Sequence, residues 1–144
     1  MKSIRLSILA GVVFALLLVA GLIAFDRMKI ERALEALQQT LNDVSMPILR
    51  QGDTRELLEH ETEGAVRVIP SFAVYDSMLP LIALDPWKGE ITPPSLLSFT
   101  PAAAKVSARA NFSRGVSDVY ATLIYQEGEW RIQRYEIIRG PLAQ

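Results

Sequence analysis

The spacing of hydrophobic residues changes character along the chain. From 6 to 25 they run unbroken, LSILAGVVFALLLVAGLIAF, twenty residues without a charge. As a helix rising about 1.5 Å per residue, this run is roughly 30 Å long, the thickness of a bilayer's hydrocarbon core. The pattern predicts a transmembrane helix. From there on, apolar residues recur in steps of three and four, at Ile30, Ala33, Leu34, Leu37, Leu41, Val44 and Ile48. Polar residues such as Lys29, Glu31, Glu35, Gln38 and Asn42 take the other side, so this is one stripe of an amphipathic helix. No Gly or Pro separates the two patterns. The expectation is a continuous helical stalk over 26–52 that Pro47 ends or kinks.

Gly52 supplies a stop, and Asp53-Thr54-Arg55-Glu56 reads as a capping box. The helix it starts is expected to run to about Glu61 and to close at Gly64. In the next stretch, Phe72, Tyr75, Met78 and Leu79 fit one face of a short helix that Pro80 disturbs. Pro86, Gly89, Pro93 and Pro94 then predict an irregular connection. A strand is expected near 96–100.

After that the period becomes two. Val106, Ala108, Ala110 and Phe112 alternate with Lys105, Ser107, Arg109, Asn111 and Ser113. Arg114-Gly115 and Glu127-Gly128 are hairpin turns, which divides 105–138 into three antiparallel strands. Val119, Ala121, Leu123, Trp130 and Ile132 share the apolar face, and its alanines suit the close approach of a helix. Past Ile132 the alternation slips, because Tyr135 and Ile137 take the opposite phase from Trp130 and Ile132. A bulge near Arg134 would restore the register. The expected class is α+β: an N-terminal transmembrane helix continuing into an amphipathic helix, packed on a C-terminal antiparallel meander of three to four strands.

Composition adds location. Half of the 144 residues are hydrophobic, concentrated in 6–25. A cleaved signal peptide is the competing reading of that run. Its length exceeds the usual core of about 7–15 residues and no A-x-A site follows it, which favours an uncleaved anchor. Lys2 and Arg5 precede the run without an acid, while Arg27, Lys29 and Arg32 follow it, so the positive-inside count nearly ties. The short tail at 1–5 tips the expectation to a cytoplasmic N-terminus in the inner membrane. The domain at 53–140 would then be periplasmic, with a tail at 141–144. Small residues four apart, Gly11 with Ala15 and Ala20 with Ala24, suit helix packing in lipid. There are no cysteines, hence no disulfides or thiolate metal sites, and the formal net charge is −1 without a basic block for nucleic acid. Asn111-Phe112-Ser113 is a glycosylation sequon, relevant only in a eukaryotic secretory pathway.

The order of parts resembles the nuclear transport factor 2-like, or cystatin-like, superfamily. Gln51-Gly52-Asp53 between the first helices and Gly128-Glu129-Trp130-Arg131-Ile132 in the last hairpin carry the resemblance, over about 28–139. It implies a sheet wrapped around an N-terminal helix, enclosing a cone-shaped cavity. The superfamily includes small isomerases and dehydratases, ligand-binding pockets, and scaffold domains of single-span secretion proteins.

Catalytic chemistry finds little purchase. His60, the one histidine, stands among Glu56, Glu59, Glu61 and Glu63 on a helix face that reads as solvated. Asp118 falls on the polar phase of its strand, with Arg109 or Arg131 as cross-strand partner, and Asp85 precedes Pro86 as a turn residue. No nucleophile elbow, phosphate loop, dinucleotide fingerprint or metal-spaced pair is present, so no cofactor is expected. Contact residues are better represented. Arg109, Asn111, Tyr120, Thr122, Arg131 and Gln133 would share the polar sheet face. Tyr75, Leu79, Leu81, Ile82 and Trp87 form an apolar patch beyond the needs of a small core. The expected function is a non-enzymatic accessory, assembly or scaffold subunit of an integral membrane protein complex or homo-oligomer, touching the bilayer and its partners through span and domain. A membrane-anchored module for a lipid or apolar small molecule is the first alternative, and a small cavity enzyme the second.

Overall fold

The computed structural model describes residues 29, 31–71, 76, 78–94 and 101–142. The chain divides into two compact units, Met1–Ala36 and Leu37–Gln144. Of the first unit, 29 and 31–36 are described, and they are helical. All packing discussed below lies within the second unit.

Helix α1 covers 31–51. From Leu37 onward its apolar stripe is realised as a buried row: Leu37, Leu41, Val44, Ile48 and Leu49, with Ser45 among them. Pro47 does not end it. A proline removes one helical N–H, and the row of buried residues on either side holds the segment helical for a further turn. Closure comes where the Gly52 amide donates to the Ile48 carbonyl at 2.8 Å. Helix α2, Arg55–His60, follows with Thr54 at its N-cap and no side-chain cap bond. Asp53 instead accepts from the Arg55 amide at 3.1 Å and holds the Arg55 guanidinium at 2.6 Å. The capping box is therefore displaced by an ion pair two residues apart.

Among the described residues six strands follow: β1 Glu61–Val68, β2 Leu81–Leu84, β3 Lys88–Thr92, β4 Ala103–Phe112, β5 Gly115–Gln126 and β6 Glu129–Leu142. They form one sheet in the order β1-β6-β5-β4-β2, with β3 also paired to β4. β1 runs parallel to β6, and all other pairs are antiparallel. The β5–β6 turn is specified locally, since Glu127 at φ 53° and Gly128 at φ 85° both take the positive φ of a tight hairpin. Just past it, Tyr125 and Trp130 face each other across the strands with ring centroids 5.2 Å apart. In β6 the pairing jumps from Leu123↔Ile132 to Thr122↔Arg134, leaving Gln133 as the extra residue of a bulge. That single insertion lets Trp130 and Ile132 before it, and Tyr135 and Ile137 after it, all be buried.

The inner sheet face is small on β4 (Ala104, Val106, Ala108, Ala110) and large on β6 (Trp130, Ile132, Tyr135, Ile137), and all of these are buried. The α1 row meets it at a polar contact, where the Tyr135 hydroxyl donates to Ser45 Oγ at 2.8 Å. A hydroxyl pair inside a core is tolerated because each satisfies the other.

Two expectations are corrected. The sheet is mixed and six-stranded, not an antiparallel meander of three to four strands. β1 and β2–β3 replace what reads in the sequence as a helix end and an irregular connection. They lie at the sheet's margins, where backbone pairing to a neighbour sets the conformation and little burial alternates in the side chains. The second correction is the membrane arrangement. Among the described residues no helix is long and apolar enough to cross a membrane. The described part of α1 carries Glu31, Arg32, Glu35, Asp43 and Arg50. The run 6–25, with Gly11, Ala15, Ala20 and Ala24, lies outside the described residues, as do Tyr75 and 96–100. A single-pass inner-membrane protein with a periplasmic domain is thus not supported.

Candidate functional site: the outer face of the sheet

Cross-strand register places the outer-face residues in rows. One row reads Glu90 on β3, Lys105 on β4, Thr122 on β5, Arg134 on β6 and Val66 on β1. The next reads Lys88, Ser107, Tyr120, Glu136 and Val68. A third holds Arg109, Asp118 and Ile138. Neighbouring strands are about 4.8 Å apart, so residues within a row touch and those two strands apart can reach a common ligand.

Tyr120 stands near the middle of this surface and is 42% exposed, so the described elements leave the face open. Two ion pairs flank it. Arg109 Nε lies 3.0 Å from Asp118 Oδ1, and Arg134 Nη2 lies 2.6 Å from Glu136 Oε1. The Arg134 hydrogen bond holds the Glu136 carboxyl below its ordinary range, and the Asp118 hydrogen bond raises Arg109 above its own. The first pair ties β4 to β5, whereas the second joins two residues of β6. Lys88 and Lys105, in contrast, make no ion pair among the described residues. Between them and Arg134 lies a shallow concavity of about 370 Å³, floored by Ser107, Tyr120 and Thr122. A second, of about 390 Å³, opens beside Arg109 and Asp118 and is closed at one end by Asp85 and Pro86.

The loop at that end is pinned from both sides. The Asn111 amide donates to Asp85 Oδ1 at 2.9 Å, the Asp85 amide donates to the Arg109 carbonyl at 2.8 Å, and Trp87 Nε1 donates to Asn42 Oδ1 at 3.1 Å. The loop turns β2 into β3 and fixes Lys88 at the start of the second row.

Of the contact residues expected from the sequence, Arg109, Asn111, Tyr120 and Thr122 come together on this face. Arg131 points out beside them but is tied to α2, donating to the Glu59 carbonyl at 2.9 Å. Gln133 is exposed in the bulge. Ile82 is exposed, whereas Leu79, Leu81 and Trp87 are half-buried, with Trp87 engaged as above. Sequence reasoning missed Lys88, Lys105, Arg134, Val66, Val68 and Ile138. Lys105 was visible on the polar phase of β4, but Lys88, Val66 and Val68 sit on strands that periodicity does not reveal.

As chemistry, the arrangement offers cations, hydroxyls and apolar side chains on a flat support. The carboxylates with the best claim to acid–base work are engaged, Asp118 with Arg109 and Asp85 with Asn111. His60 Nδ1 lies 2.9 Å from the Glu56 carbonyl, on α2 rather than on this face. Among the described residues no group of three or more His, Cys, Asp or Glu side chains is disposed to hold a metal ion. Comparison with family models, with curated proteins and with solved structures gives no match to this chain.

Proposed function

We propose that this chain is a non-enzymatic contact domain, an accessory or scaffold subunit that holds a partner protein against the outer face of its sheet. The observation that carries the reading is Tyr120, 42% exposed in the middle strand and bracketed by pre-formed Arg109–Asp118 and Arg134–Glu136 pairs. Interfaces concentrate their energy in Tyr and Arg anchors near the centre of the contact. Guanidiniums already fixed by a carboxylate lose less conformational freedom on binding than free ones. Kinship with the scaffold members of the nuclear transport factor 2-like superfamily belongs to the same proposal. It is supported by two helices preceding a sheet whose last hairpin carries Trp130 in the core.

The test is Tyr120→Ala in the full chain, expressed at native level in its source and isolated with what it binds. The residue is exposed, so the fold, checked by circular dichroism, is expected to persist. Co-purification of the partner should fall at least about tenfold, the effect of losing a central aromatic anchor. Retention of the same partner at wild-type yield refutes the proposal.

A further inference from the structure

We infer that the surface received by this face is acidic on one side and apolar on the other: a protein segment with carboxylates over β3–β4 and aliphatic side chains over β1–β6. The inference rests on the contact-domain reading and adds the partner's chemistry to it. Arg109 and Arg134 already have carboxylate partners, at 3.0 and 2.6 Å. The charge left over belongs to Lys88 and Lys105. Lys88 pairs in register with Ser107, and Lys105 stands two residues before Ser107 on the same strand, so the two side chains are diagonal neighbours on one face. Their ammonium groups can converge above Ser107 and Tyr120. Glu90 is opposite Lys105 in register, yet no nitrogen–oxygen contact within 4.0 Å joins them. An incoming carboxylate would find two ammoniums and three hydroxyls, beside the Arg134–Glu136 pair, at the concavity of about 370 Å³.

The opposite side of the face has another character. Val66 and Val68 on β1 are 46% and 48% exposed, and Ile138 on β6 is 53% exposed. Branched aliphatics that open to solvent on a sheet face lose water favourably when a partner covers them. The gradient across the strands therefore runs from cationic through Tyr120 to aliphatic. A nucleic acid fits it poorly, because Glu90, Asp118 and Glu136 interrupt the cations and the chain's formal net charge is −1. A protein segment with a matching gradient satisfies both halves.

The experiment titrates the nitrogen-15-labelled full chain with a synthetic peptide in which a block of glutamates precedes a block of leucines. A control peptide carries glutamines in place of the glutamates. Amide shifts are expected on β3, β4, β5, β6 and β1. Binding should weaken about tenfold for the glutamine peptide and for the Lys88→Gln/Lys105→Gln double variant, and should weaken further as salt rises. Both lysines are exposed, so the double variant keeps its fold, which its undisturbed core resonances verify. Equal affinity for the glutamine peptide at the same residues overturns the acidic preference and leaves the contact-domain reading intact. Shifts absent from the face for both peptides overturn this inference, while the Tyr120→Ala co-purification decides the broader reading separately. A single-stranded oligonucleotide, or vesicles of anionic lipid, that displace the glutamate peptide at lower concentration than the peptide itself requires would also overturn it, in favour of a phosphate-bearing ligand.

Discussion

The buried hydroxyl pair between Tyr135 and Ser45 gives the sharpest thermodynamic test of the packing. Both residues are 0% exposed, and the phenol donates to Ser45 Oγ at 2.8 Å. In Ser45→Ala the phenol stays buried without its acceptor, which costs about 1–3 kcal/mol. Tyr135→Phe should cost less, about 0.5–1.5 kcal/mol. A helical serine that loses its partner can turn its hydroxyl to the carbonyl four residues back, here that of Leu41. The double variant removes both polar groups together, so its cost should fall short of the sum of the single costs by about 1 kcal/mol. The assay is urea unfolding of the full chain followed by circular dichroism and by tryptophan emission, to which Trp130, 2% exposed, contributes the signal of the core and Trp87 that of the β2–β3 loop. A double variant that costs the full sum, or a harmless Ser45→Ala, refutes the coupling. Alkaline pH offers an independent reading of the same pair. Burial pushes the Tyr135 phenol above its usual range, the Ser45 bond opposing it more weakly. The folded state therefore holds the proton more tightly than the unfolded chain. Stability is complete below the ordinary phenol pKa of about 10 and is lost above it, by up to about 1.4 kcal/mol per pH unit. Tyr135→Phe should flatten that alkaline loss, and an unchanged slope would show that another group causes it.

Two further outcomes follow from local geometry. In Gly89→Ala the new Cβ would lie 2.0 Å from the Lys105 carbonyl oxygen, a backbone atom that cannot swing aside. β3 should separate from β4, seen as faster amide exchange across 88–92, with little change at the β5–β6 hairpin; protected β3 amides would contradict this. Asp53, held by its hydrogen bonds to Arg55, should titrate at about 2 by carboxyl NMR, and Arg55→Ala should return it toward the ordinary aspartate range. Because the folded pKa is depressed, this ion pair's contribution is present above about pH 4 and disappears as pH falls toward the folded value. A titration near 4 in the parent chain would show that the pair does not persist in water.

What could be read from the sequence, and what could not, divides by how each strand is buried. β4 and β5 bury every second side chain, so period two marks them directly. The slip in β6 also carried its own explanation, since only an extra residue lets Ile132 and Tyr135 face the same way. β1 has the burial of a surface strand, with Glu61 and Glu63 continuing the acid-rich helix before it and Gly64 resembling a helix stop. β3 is exposed at every position and offers no alternation to detect. Their conformation comes from backbone bonds to residues far away in the chain, and a parallel pairing of β1 to β6 leaves no local signal at all. The site inherits the same division. Arg109, Asn111, Tyr120 and Thr122 were legible because β4 and β5 were. Lys88, Val66 and Val68 needed the margins.

The parallel join between β1 and β6 also sets an order of events during synthesis. A strand at 61–68 finds its partner only in 129–142, the last of the sheet's described strands to be synthesised. Until then the aliphatic ridge of α1 has no Trp130, Ile132 or Tyr135 to cover it, although the β4–β5 hairpin can already zip up. The nascent domain therefore waits on β6. Any release or pause before Glu129 leaves a sticky half-built intermediate, a natural client for chaperones.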